Sequence, residues 1–187
     1  MTVLDFETPH GLARAHIQPV DEALGALALG HGAGGGINAR DLATAAEVAR
    51  GQGFSVALVE QLKAADFEGL PLVTGGRSAG ARIACRTFRD TGSIAVLCLA
   101  FPVHPPQRAS AKSPERPTRQ PELDAVTVPT LVVQGVNDRF GMPTAGRTRT
   151  VVKVPGDHRL TTDLGAVGDA VRKWLPQALR AWAATRA

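Results

Sequence analysis

With 187 residues, 44% apolar and 20% charged, the chain is long enough to bury a substantial core and reads most simply as one domain over 1–187. Its net charge of +4 lies on scattered arginines, with no Lys/Arg run and no interleaved aromatics, so nucleic acid is not an expected partner. The opening residues lack a basic-then-apolar layout and the apolar run around Ala95–Phe101 is far too short to cross a bilayer, so a cytoplasmic protein with no membrane span is expected.

In chain order, "VLDFET" and "ARAHIQ" flank the turn "PHG" and predict an antiparallel edge hairpin. The runs "ALGALALG" (23–30), "FSVALVE" (54–60), "LPLVTG" (70–75), "SIAVLCLAF" (93–101), "PTLVVQG" (129–135) and "TVVKVPG" (150–156) then read as strands. Several are continuous rather than alternating, as in strands covered on both faces. Between them, 39–53 and 78–92 have helical spacing and end on Gly53 and Gly92, while 163–182 is a helix expected to kink or restart at Pro176. Strand–helix alternation predicts an α/β fold on a mostly parallel sheet.

The stretch 104–121, "HPPQRASAKSPERPTRQP", is proline-rich, carries four basic residues and one acid, and predicts no regular element. It leaves the carboxyl end of a strand, where α/β proteins keep their sites, so it reads as a surface loop and a possible lid. Cys85 and Cys98 are expected to be buried, reduced thiols, and no Cys/His spacing suggests a metal site. Tyrosine is absent and aromatics make up only 4%, which argues against a large planar substrate.

Two readings compete for "LGHGAGGGINARD" (29–41), which follows a strand and precedes a helix. Gly30, Gly32 and Gly35 fit G-x-G-x-x-G, and the next strand ends on the acid Glu60, as in a dinucleotide-binding unit. The same residues spell H-G-x-G-G, a loop that can aim backbone N–H groups at a developing oxyanion. The loop alone does not separate the two.

Downstream, Gly76-Arg77-Ser78-Ala79-Gly80 is G-x-S-x-G after a strand and at the start of a helix. A nucleophile on such an elbow takes strained dihedrals, and its neighbours two residues away must be small for the turn to close. Serine needs a base, and the base an orienting acid. Asp138 follows the next-to-last strand and His158 the last, so the order Ser78, Asp138, His158 places one group at the carboxyl end of each of three strands. Asp157 is a less favoured acid, because its neighbour His158 points the other way in an extended segment.

Together, "LGHGAGGG", "GGRSAGARIA", "LCLAFPVHPP", "PTLVVQGVNDRFG" and "GDHRL", spread from residue 29 to 160, resemble the α/β-hydrolase superfamily. More narrowly, they are similar to small dienelactone-hydrolase-like proteins of the KANL3/Tex30 family. The resemblance implies an α/β-hydrolase fold with helices on both faces of the sheet. It implies a serine hydrolase of carboxylic ester, thioester or lactone bonds in a small-molecule acyl substrate, without metal or organic cofactor. Ser78 would be the nucleophile, His158 the base and Asp138 the orienting acid. The backbone N–H groups of Ala79 and of Ala33 or Gly34 would form the oxyanion hole.

Around them, His31 would pin the glycine loop and His104 could face the pocket. Arg77 could attract an anionic acyl group or form a surface ion pair, and Glu60 could touch the site from its strand end. Because some members of that family serve as complex subunits, a non-catalytic module that binds a partner protein is the alternative. One departure stands out. The family has a longer stretch between the two strands that precede the elbow, whereas "QLKAADFEG" (61–69) leaves room for at most two helical turns.

Overall fold

A computed structural model of the chain describes residues 2–8, 11–32, 36–59, 69–106 and 117–186. The expected hairpin forms from β1 (Thr2–Thr8) and β2 (Gly11–Gln18), paired antiparallel with Leu4 opposite Ala15. There follow β3 (Gly25–Gly30), α1 (Arg40–Gly51), β4 (Phe54–Val59), β5 (Leu72–Arg77), α2 (Ala79–Thr87), β6 (Ala95–Leu99), α3 (Gln120–Asp124), β7 (Thr130–Gly135), β8 (Arg149–Val154) and α4 (Leu164–Ala184). Among the described residues the strands make one eight-stranded sheet in the order β1-β2-β4-β3-β5-β6-β7-β8. Pairing is antiparallel at β1/β2 and β2/β4 and parallel from β4 to β8. Residues 60–68, where the short crossover was noted, lie outside the described residues, as do 107–116 of the proline-rich stretch.

The continuous apolar runs are strands with both faces covered. In β6, Leu97 and Leu99 join a core under α1 and α4, whereas Val96 and Cys98 face α2 and α3. In β7, Leu131 and Val133 likewise part from Val132. This period of two, applied to residues that are all apolar, builds two cores from one sheet. On the second side, Cys85 and Cys98 are free and buried with their sulfurs 3.5 Å apart. The contact with Cys85, and burial, push the Cys98 thiol well above its ordinary value, so it stays protonated and inert.

α2 is regular to Thr87, and its closing turns run on to Gly92 as expected: the Ser93 N–H donates to the Phe88 carbonyl (2.9 Å) and the Gly92 N–H to the Arg89 carbonyl (3.1 Å) across the left-handed backbone of Gly92 (φ 64°). Two elements differ from expectation. The end of the proline-rich stretch is helical, because Gln120 and Pro121 open α3, and proline is tolerated in a first turn whose N–H groups have no helical partner. α4 runs on through Pro176 without restarting. Proline there cannot donate to the carbonyl of Arg172, four residues back, and that carbonyl accepts instead from Gln52 Nε2 at the end of α1 (2.5 Å). Among the described residues no helix is long and apolar enough to cross a membrane.

The Gln52 bond is expected to matter only while Pro176 is present. Gln52→Ala should cost about 0.5–1.5 kcal/mol in urea unfolding. In a Pro176→Ala background, where residue 176 can donate to Arg172 itself, the same change should cost close to nothing. A double-mutant cycle measures the difference.

Candidate active site

The sheet places its switch point between β3 and β5. The chain leaves β3 toward β4 on one side, then returns to β5 on the other, with Gly30 and Gly76 in register at the two carboxyl ends. There β5 turns into α2 through Ser78, whose backbone is left-handed (φ 53°, ψ −106°). The turn is possible because both flanking positions are glycine. A Cβ on Gly76 or on Gly80 would run into the carbonyl oxygen of Gly30. The Ser78 N–H donates to the Leu99 carbonyl (2.9 Å), which carries the β5–β6 ladder to the elbow itself.

The other two residues arrive on loops from the carboxyl ends of β7 and β8. Ser78 Oγ lies 3.0 Å from His158 Nε2, and His158 Nδ1 lies 2.7 Å from Asp138 Oδ2. An ionised carboxylate only accepts, so Nδ1 carries the ring proton and Nε2 is free to accept from the Ser78 hydroxyl. The Asp138 side chain is wholly buried, and the His158 side chain is 17% exposed. Removing a carboxylate from water is costly unless its oxygens are satisfied. Here Oδ1 accepts from the Phe140 N–H (2.8 Å), and Oδ2 accepts from Gln134 Nε2 (2.8 Å) as well as from His158. The Phe140 ring meets the imidazole edge-on at 4.5 Å between centroids. Leu160, two residues after His158, is again left-handed (φ 53°) and tightens that loop.

The remaining predicted positions fall out differently. Ala79 is the first residue of α2, so its N–H precedes the intrahelical ladder and adjoins the serine. Ala33 and Gly34 lie outside the described residues, as do Gly35 and Glu60 of the dinucleotide reading. Gly32 packs against Ser78 and Arg77. His31 Nδ1 donates to the Gly32 carbonyl (2.8 Å) within the loop. His104 Nδ1 donates to the Pro117 carbonyl (3.1 Å), its N–H donates to Phe140 O (2.8 Å), and its ring fills the space where a side chain at Gly141 would begin. It therefore joins the two ends of the proline-rich stretch to the Asp138 loop. Asp157 turns away from the histidine and pairs with Arg159.

Of the two roles open to Arg77, the ion pair forms, but it is directed inward and not onto the surface. Its partner is Asp41 (2.8 Å), a first-turn residue of α1 whose side chain is 1% exposed. Burial pushes the Asp41 carboxyl above its ordinary value, against the opposing pull of Arg77 and of the Leu42 N–H. Two residues of the site, Asp41 and Gln134, escape a reading of the sequence: Asp41 is one acid in the first turn of a helix, and the available signal for Gln134 is a polar residue in an otherwise apolar strand.

A family model described as "Alpha/beta hydrolase domain" matches residues 52–163. No curated protein matches the chain. Among solved structures, the chain is similar to a serine hydrolase without a lid from Xanthomonas campestris, at 18% identity and TM-score 0.65 over 94% of this chain and 95% of that one. It is similar to Est1E from Butyrivibrio proteoclasticus, at 15% identity and TM-score 0.71 over 95% and 99%. An α/β serine hydrolase homologue from Coxiella burnetii gives 14% identity and TM-score 0.70 over 93% and 97%. At such identities the structural likeness speaks for the fold, and the family model carries the assignment. With its sheet order, its elbow after β5 and more than half its length inside the family's pattern, the chain belongs to the α/β-hydrolase domain family.

Proposed function

We propose that the protein is a serine hydrolase that cleaves ester-like bonds (carboxylic ester, thioester or lactone) in a small acyl substrate through an acyl-enzyme on Ser78. The observation that carries this reading is the unbroken chain Ser78 Oγ, His158 Nε2, His158 Nδ1, Asp138 Oδ2, with gaps of 3.0 and 2.7 Å and a buried acid at its end. Ser78 Oγ attacks the acyl carbon as its proton passes to His158 Nε2. The imidazolium so formed is held in orientation and stabilised by Asp138, then gives the proton to the leaving oxygen or sulfur. Water then attacks the acyl carbon as His158 Nε2 takes its proton, and the bond to Ser78 Oγ breaks as His158 returns that proton to Oγ, releasing the carboxylic acid and the free enzyme. The Ala79 N–H and one from Ala33 or Gly34 stabilise the oxyanion, each worth roughly 3–4 kcal/mol at the transition state. No step calls for a metal or an organic cofactor.

In the same reading the chain works as one cytoplasmic domain over 1–187, with 104–121 as a lid at the rim of the site. The motif stretches also support the narrower kinship with dienelactone-hydrolase-like proteins of the KANL3/Tex30 kind.

A fluorophosphonate probe should label the wild type on Ser78. Labelling should vanish in Ser78→Ala and fall sharply in His158→Ala, whereas an unlabelled, folded wild type would favour a non-catalytic binding module. Asp138→Asn should fold, yet lose on the order of 10³–10⁴ in kcat on a p-nitrophenyl ester, because the amide reverses the preferred ring tautomer.

A further inference from the structure

The Ser78–His158 contact has to span the sheet. The elbow ends β5 and His158 follows β8, three strand positions away. At about 4.8 Å a step, that is about 14 Å of sheet. Asp138 holds the imidazole by its ring, but a ring hydrogen bond does not place the backbone from which the ring hangs. The loop after β8 must lean back over the strand ends, and something on the β5 side has to meet it.

Arg77 is the residue that does. It is the last residue of β5, next to the nucleophile, and its guanidinium donates in two directions. Nε donates to Asp41 Oδ2 at 2.8 Å, and a terminal nitrogen donates to the backbone carbonyl of His158 itself at 3.0 Å. The other oxygen of Asp41 accepts from the Leu42 N–H (3.0 Å), so the acid is fixed to the first turn of α1 and cannot follow the arginine outward. Asp41 is buried, and the Arg77 side chain is 16% exposed. Gly32 of the glycine loop packs on the same guanidinium. One planar cation thus ties together the elbow, the start of α1 and the loop that presents the base.

We propose that Arg77, braced by the buried Asp41, is a positioning residue: it holds the backbone of His158 over the elbow so that Nε2 stays within reach of Ser78 Oγ. The proposal rests on the reading of Ser78 as nucleophile for its kinetic consequence, though not for its geometric one. Arginine is required because its rigid fork serves an acid and a carbonyl at once, whereas the ammonium of lysine offers no such fixed pair of directions. A reacting group displaced by about 1 Å costs on the order of 10²-fold in rate, so the effect should appear in kcat rather than in KM.

The test uses Arg77→Ala and Arg77→Lys in the full chain. Readouts are turnover of p-nitrophenyl acetate, thermal unfolding, and the proton resonance of the His158 Nδ1–H that faces Asp138. In Arg77→Ala, kcat should fall at least tenfold with KM within twofold. Added guanidinium ion should restore a substantial part of the loss, and the His158 resonance should broaden or shift. Arg77→Lys should keep the fold and still lose kcat. If Arg77→Ala does not fold, the lysine variant decides, and wild-type kcat with an unmoved His158 resonance in it overturns the proposal. A folded alanine variant with wild-type kcat does the same, as does a rate loss that guanidinium cannot restore while the His158 resonance stays put. Failure of the hydrolase reading looks different: wild type and variants alike would neither turn over ester nor label with fluorophosphonate. The His158 resonance would then still decide whether Arg77 positions the ring.

Discussion

The carbonyl oxygen of Gly30, at the carboxyl end of β3, fills the space in which a side chain at residue 76 or residue 80 would begin. That contact between backbones lets α2 start hard against the sheet and forces the turn from strand to helix into a single residue. The cost falls on Ser78, held with positive φ, a conformation worth about 1–3 kcal/mol of strain in a non-glycine residue. The strain is sustained because the turn is tied on both sides: the Ser78 N–H completes the β5–β6 ladder, and Ala81, Ala84 and Cys85 of α2 lie in the core below. A serine so held has its hydroxyl raised above the strand ends, open to whatever the neighbouring loops bring.

What they bring is held by polar groups in an otherwise apolar region. Asp138 is buried with three donors on its two oxygens, and Asp41 is buried with Arg77 and the Leu42 N–H. Neither acid is cheap to bury, and an apolar pair of the same volume could stabilise the fold as well or better. Their use here is directional. Each hydrogen bond selects one rotamer and one loop position, and between them the two acids restrain the same histidine, one at the ring and one, through Arg77, at the backbone. His104 and Phe140 continue the arrangement outward, linking the proline-rich stretch to the loop that carries Asp138. Among the described residues, the loops around Ser78 are thus fastened to one another above the ends of the strands.

Much of this could be read from the chain. The central strands declare themselves as continuous apolar runs because both of their faces are buried. Gly76, Ser78 and Gly80 declare the elbow because steric closure tolerates few alternatives there. Asp138 and His158 could be found because each follows a strand in an order that a parallel sheet can converge. Other features were invisible for a common reason: they depend on partners distant in sequence. Nothing near Asp41 announces a bond to a residue 36 positions on, nothing near Pro176 announces that Gln52 will satisfy the carbonyl it orphans, and nothing in "QPELD" distinguishes a helical turn from the loop before it.

By itself, then, the order of residues determined which segments are strands and helices, that they alternate into a mostly parallel sheet, and that a serine would stand on a tight turn, because those outcomes follow from local sterics and from periodic burial. Only the folded chain decided that Arg77 turns inward to Asp41 rather than outward to solvent, that Gln134 and Phe140 share the satisfaction of Asp138, and that the loop after β8 reaches back to β5. Those choices are made by hydrogen bonds between groups brought together by the sheet, and a buried polar atom takes whichever partner the packing leaves within reach.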